Sequence, residues 1–173
     1  FCAARNPISP PCTSTACAGA VGVRADVGCG PEAGQVLEIY LRLGDDADRA
    51  VVVLVHGGGW EQGGKGDLAR NARELAEEGI VAVSVDYRLP PPGERWPTEV
   101  EDVRAAVRWV QEHAEELDVD PARLGLYGSS AGGNLAMVVA TTGGDDDLPP
   151  VRSVAAWSPP TDLLSLTPPD GVP

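Results

Sequence analysis

Arg123-Leu124-Gly125-Leu126-Tyr127-Gly128-Ser129-Ser130-Ala131-Gly132-Gly133-Asn134-Leu135-Ala136 is the stretch that decides how the rest of the chain is read. It begins as a short apolar strand, passes through a tight turn and continues as the start of a helix. Within it, Gly128-Ser129-Ser130-Ala131-Gly132 fits G-x-S-x-G and puts Ser130 at the turn. A serine on a strained strand-to-helix bend projects its hydroxyl above the edge of a sheet, the arrangement called a nucleophile elbow. Glycines two before and two after leave room where a Cβ would collide with neighbouring backbone. The helix that follows directs its free N–H groups and the positive end of its dipole to where an oxyanion would form. G-x-S-x-G alone is a weak signal, because both residue types are common in turns. The flanking strand and helix give it weight.

Upstream of the elbow, Ala50-Val51-Val52-Val53-Leu54-Val55 is an unbroken apolar run, as in a strand buried on both faces of a parallel sheet. It leads into His56-Gly57-Gly58-Gly59-Trp60, whose glycines expose backbone N–H groups of the kind an oxyanion hole needs. Asp67 to Glu78 has a helical period through Leu68, Ala72, Leu75 and Ala76, with Gly79 placed to stop it. Ile80 to Val85 is a second buried strand, followed by Asp86-Tyr87-Arg88-Leu89 and a proline-rich turn. Thr98 and Glu101 predict a capping box at the start of the next helix, and Glu99 and Asp102 suit its dipole. Val100, Val103, Val107, Val110, Ala114 and Leu117 form the apolar face of that helix. Gln35 to Arg42 alternates apolar and polar, the pattern of an antiparallel strand.

Downstream, the Ser130 helix is expected to run to about Ala140. An acidic loop at Asp145-Asp146-Asp147 and a strand from Val151 to Trp157 follow. The order β-β-α-β-α-β-α-β predicts an α/β fold, a mostly parallel open sheet flanked by helices. Ligands of such sheets bind outside the carboxyl ends of the strands, where both Ser130 and the His56–Trp60 loop fall.

The 173 residues provide for one domain at most, and there are no internal repeats. A net charge of −13 argues against nucleic acid or anionic membrane as partners and reads as a solubilising acidic surface. No apolar run approaches the ~20 residues that span a bilayer. Cys2, Cys12, Cys17 and Cys29 all lie in a segment with little to bury. They lack C-x-x-C zinc spacing and the two histidines lie far downstream, so two disulfides are expected, with three pairings open. No metal or cofactor is expected. With Phe1 in place of Met, the disulfides predict a secreted chain from which a signal peptide has gone. Residues 1–34 are thus read as a cysteine-rich arm ahead of a hydrolase-like portion at 35–173.

His56-Gly57-Gly58-Gly59-Trp60, Asp86-Tyr87-Arg88-Leu89, the helix between Trp96-Pro97 and Trp109, and Gly128-Ser129-Ser130-Ala131-Gly132-Gly133-Asn134-Leu135-Ala136 stand in a familiar order. The chain resembles carboxylesterases of the α/β-hydrolase superfamily, near the hormone-sensitive-lipase-like and acetyl-xylan or feruloyl-type esterases. The likeness covers roughly residues 35 to 162. It implies an ester hydrolase acting on a small-molecule or polysaccharide-linked ester. It also implies that Ser130 is the nucleophile, that Gly58, Gly59 and the N–H of Ala131 form the oxyanion hole, and that Trp60 lines the acyl or alcohol pocket. Ser129 departs from family members that carry Asp there. In family order an acid and then a histidine follow the serine. Here His56 belongs to the oxyanion loop and braces it, and His113 sits beside the apolar face of a helix. Asp145, Asp146 and Asp147 fit a solvated loop, and Asp162 matches a position outside the triad. The resemblance therefore implies an N-terminal portion of the fold, with acid and base elsewhere. The sheet edge would be covered by the rest of the domain or by a second chain. Two other functions fit the same fold: a catalytically silent binding module, and a serine peptidase of the same superfamily.

Overall fold

In a computed structural model that describes residues 19–44, 48–89, 96–142, 148 and 150–165, six strands form one mixed sheet. The strands are β1 (Val21–Gly28), β2 (Val36–Arg42), β3 (Arg49–Val55), β4 (Val81–Val85), β5 (Val119–Ser129) and β6 (Ser153–Trp157), in the spatial order β1-β2-β4-β3-β5-β6. β3 pairs in parallel with β4 and β5, and β5 with β6, whereas β2 is antiparallel to both β1 and β4. The mostly parallel open sheet is thus the one the apolar runs predict, flanked by α1 (Ala69–Glu77), α2 (Thr98–Glu112) and α3 (Ala131–Thr142).

Successive strand residues point to opposite faces, and this alternation divides the core in two. Val51, Val53 and Val55 of β3, with Val81, Val83 and Val85 of β4, join the buried residues of α2 and α3 on one face. Leu54, Ala82 and Tyr40 face the other way and pack against Leu68, Ala72 and Ala76 of α1 and the short 3₁₀ turn before it. Gly79 ends α1 as expected. At φ +80° its N–H bonds the Ala76 carbonyl, and Ile80 N–H bonds that of Leu75, two bonds that close a Schellman cap.

Three expectations change. First, the sheet begins inside the segment read as an arm. Val21 and Val23 of β1 pack on the α1 side, while Val27 and Cys29 pack on the other. A register shift between Arg24 and Val27, with Asp26 at φ +53°, moves the strand from one face to the other and breaks the alternation a sequence reading needs. Second, Thr98 does not cap α2. Glu101 N–H bonds the Pro97 carbonyl at 3.0 Å, so Pro97 is the N-cap and Thr98 the first helical residue. Asp102, expected to favour the helix dipole, is instead 1% exposed. It binds the Arg88 guanidinium through both oxygens and accepts from Gln35 Nε2 at 2.6 Å. Third, the expected pair of disulfides is not formed, because Cys29 is a free thiol packed against the core. Burial, more than the nearby Asp102 carboxylate, pushes its pKa up to about 12, as suits a small inward-facing apolar group. Cys2, Cys12 and Cys17, and the acidic stretch Asp145-Asp146-Asp147, lie outside the described residues.

Candidate active site

The chain leaves β3, forms α1, returns as β4 on one side of β3, and then crosses to lay β5 on the other side. The loops after β3 and β5, His56–Trp60 and Ser130, therefore stand side by side at the carboxyl edge of the sheet, the edge at which such folds bind ligands.

Ser130 is exposed between buried Gly128 and buried Ala131, and its φ is +52°. This left-handed conformation is costly for a residue with a Cβ and is held here by its surroundings. Its N–H donates to the Trp157 carbonyl at 2.8 Å, and its carbonyl accepts from Asn134 N–H at 3.1 Å, the first bond of α3. Asn134 Nδ2 in turn donates to the Pro160 carbonyl at 2.9 Å, which fastens the helix start to the loop after β6. The glycines of the motif are needed for close approach. A Cβ on Gly128 would lie 2.2 Å from the Gly132 carbonyl oxygen, and one on Gly132 would lie 2.1 Å from that of Val55. Only without those carbons can α3 begin against β3 and present its first N–H groups beside the serine. Ala131 stands at that first turn, where backbone N–H groups have no acceptor within the helix.

The loop after β3 comes against this elbow. A Cβ on Gly57 would lie 3.3 Å from Ser130 Cβ and 2.8 Å from the Ser129 carbonyl oxygen. Gly58 and Gly59 take φ +116° and +64°, and Trp60 follows at +62°. The carbonyl of Gly58 accepts from Glu61 and Gln62 N–H, which folds the loop back on itself. Trp60 is half-buried against the core. The structure therefore brings together Ser130, Ala131 and the Gly57–Gly59 loop, with Trp60 on that loop. A serine at the start of a helix beside a glycine loop is the kind of arrangement in which backbone N–H groups can stabilise a negative charge on oxygen.

Both histidines are engaged elsewhere. His56 is 1% exposed and places Nδ1 2.7 Å from the Gly57 carbonyl oxygen, in keeping with a bracing role in its loop. His113 stacks on Trp109 and contacts its carbonyl at 2.8 Å, at the far end of α2. Among the described residues no cluster of His, Cys, Asp or Glu could hold a metal ion, and no helix is long and apolar enough to cross a membrane. Two pieces of the site's frame escape a sequence reading: the Arg88–Asp102 clamp and the contact of Tyr87 with His56. The quoted motif Asp86-Tyr87-Arg88-Leu89 contains one partner of each, but their counterparts are 14 and 31 residues away.

Residues 37–170 match the BD-FAE family. The carboxylesterase NlhH of Mycobacterium tuberculosis is 44% identical over 113 residues, which is 64% of this chain and 35% of that protein. Among solved structures, a bacterial heroin esterase superposes with a TM-score of 0.73 at 30% identity, over 82% of this chain and 45% of that one. Esterase B from Lactobacillus rhamnosis, in complex with a tributyrin phosphonate inhibitor, superposes with a TM-score of 0.72 at 26% identity, over 80% of this chain and 49% of the esterase. The chain spans about a third of the length of the first curated relatives it matches and just under half of these structures. With a family match over most of its length and that family's sheet beneath its glycine loop and elbow, the chain belongs to the BD-FAE family, among the carboxylesterases of the α/β-hydrolase superfamily.

Proposed function

We propose that this chain carries the nucleophile and oxyanion hole of a serine carboxylic-ester hydrolase. The observation that carries the reading is Ser130, exposed at φ +52° with Gly57, the first glycine of the loop, packed against it. In this reading Ser130 Oγ attacks the ester carbonyl carbon while a base removes its proton. The carbonyl π electrons move onto oxygen, and the N–H groups of Gly58, Gly59 and Ala131 stabilise the oxyanion. Collapse of the tetrahedral adduct breaks the bond to the alcohol oxygen, which leaves with a proton. Water then releases the acid from the acyl-enzyme by the same steps. Acid and base come from polypeptide beyond these residues, since both histidines here are committed to backbone contacts.

In this reading the Trp60 indole lines the pocket for the acyl or alcohol group. Small esters are the substrate class this reading favours. The Esterase B structure is of a form inhibited by a tributyrin phosphonate, and the loop and elbow of this chain lie on a similar sheet. The test is labelling of the full-length protein with a fluorophosphonate, followed by peptide mass analysis. Ser130 should carry the adduct, and Ser130→Ala should carry none. Undiminished labelling of Ser130→Ala would overturn the assignment.

A further inference from the structure

Tyr87, just past the end of β4, takes no part in the chemistry above, yet it is built into the foundation of the glycine loop. It is 3% exposed, and its ring lies 4.2 Å from the His56 imidazole with their planes 7° apart. Its phenol O–H donates to the His56 carbonyl at 3.2 Å. Tyr87 thus touches His56 twice, through the ring face and through the backbone.

His56 passes this constraint on. A carbonyl oxygen only accepts, so the 2.7 Å contact between Nδ1 and Gly57 O is a bond donated by Nδ1–H. The Gly57 carbonyl and the Gly58 N–H belong to one planar trans peptide and point in opposite directions. Fixing the carbonyl on the imidazole therefore fixes where the Gly58 N–H points. Gly63 keeps the space clear, since a Cβ there would fall 2.6 Å from His56 Nδ1 and 2.7 Å from Gly57 O.

We infer that Tyr87 is a positioning residue for the oxyanion hole, acting through the His56 ring to aim the Gly58 N–H. The inference rests on the reading of Gly58 as an oxyanion donor. Burial, then the carboxylates of Glu99 and Asp67, hold the phenol pKa well above its ordinary value. The O–H consequently stays a donor across the pH range in which an esterase works.

The experiment uses the full-length protein and its Tyr87→Phe and Tyr87→Leu variants. For each, kcat and KM are measured on p-nitrophenyl acetate, together with the rate of fluorophosphonate labelling at Ser130, at temperatures where circular dichroism shows the variant folded. Tyr87→Phe keeps the stacked ring and loses the O–H, so kcat should fall several-fold. Tyr87→Leu loses both contacts, and its kcat and labelling rate should fall roughly 10- to 100-fold, a part of the ~10²–10³ that losing one oxyanion donor costs. KM should stay near the wild-type value in both, because a mis-aimed N–H is felt in the transition state. If Tyr87→Leu does not fold, Tyr87→Phe decides alone. Wild-type kcat in the folded variants, or a raised KM with unchanged kcat, would overturn the inference. Failure of the wild type to label at Ser130 would instead remove the nucleophile reading, and the inference with it.

Discussion

The N–H of Ser130 donates to the carbonyl of Trp157 at 2.8 Å, so the backbone of the candidate nucleophile is fastened to the strand at the edge of the sheet. That strand is poorly covered. Four of the five residues of β6 are exposed, with Val154 at 38% and Trp157 at 69%, and Leu163 and Leu164 beyond it are also open to solvent. An edge strand with free N–H and C=O groups and apolar side chains invites a further strand or a second chain. We therefore expect β6 to be covered by further polypeptide in the working enzyme. The 173-residue chain by itself should self-associate in sedimentation velocity, and Val154→Lys should shift it toward monomer. A monomer with a sharp melting transition and solvent-exposed Trp157 would count against this view.

Strain at the elbow gives a second prediction. Ser130 sits at φ +52°, where an L-residue costs about 1–2 kcal/mol and glycine costs little. Ser130→Gly should therefore be more stable than Ser130→Ala by about 1 kcal/mol, or a few degrees in melting temperature. Both variants lose the hydroxyl, so the comparison isolates backbone strain from chemistry. Equal melting temperatures would mean that the turn relaxes once the serine hydroxyl is gone.

The parts of this fold that were legible in the sequence are those set by local periodicity and local backbone need. Val51 to Val55 and Val81 to Val85 announce buried strands because both their faces are covered, and Gly79 announces a helix end because φ +80° is cheap only for glycine. The elbow and its loop were legible for the same reason: Gly128, Gly132 and Gly57 stand where backbone comes too close for a Cβ. β1 has no clear sequence signal because the bulge at Asp26 reverses its faces midway. The cap at α2 departs from the capping-box pattern because Pro97 supplies the first helical carbonyl, one residue ahead of Thr98. Local sequence says of Asp102 only that it suits the helix dipole, and only its distant partners Arg88 and Gln35 explain why it is buried. Contacts of that kind leave no local signature.

The Arg88–Asp102 clamp should be among the costliest places to substitute. The Asp102 side chain is 0% exposed and accepts from Arg88 N–H, from the Arg88 guanidinium and from Gln35. It joins α2 to the segment after β4 and to the turn between β1 and β2. Breaking a buried pair from one side costs ~3–5 kcal/mol, and the 33% exposure of the Arg88 side chain puts this one at the low end. Asp102→Asn should thus lose about 3 kcal/mol in urea unfolding. The double variant Asp102→Leu with Arg88→Met should recover part of that loss. A double variant no more stable than a strictly additive sum would show that the two residues act independently.

Cys29 supplies a pH dependence whose direction can be worked out. Its ordinary thiol pKa of 9.0 is raised to about 12 in the folded chain, first by burial and then by the Asp102 carboxylate. A group whose pKa is raised on folding keeps its full contribution to stability below the unfolded value and loses it as pH climbs through the folded one. Between pH 9 and about 12 the unfolded chain gives up the proton while the folded chain retains it, so stability should decline across that window. In the Cys29→Ala variant the decline should be shallower, because no buried proton is left to hold at that site. The same burial keeps the thiolate scarce at pH 8, where iodoacetamide should modify Cys29 far more slowly in native than in urea-unfolded protein, as read from its tryptic peptide. A wild-type and a Cys29→Ala chain with superimposable stability-against-pH curves, together with fast native alkylation, would show that the thiol faces solvent instead of the core.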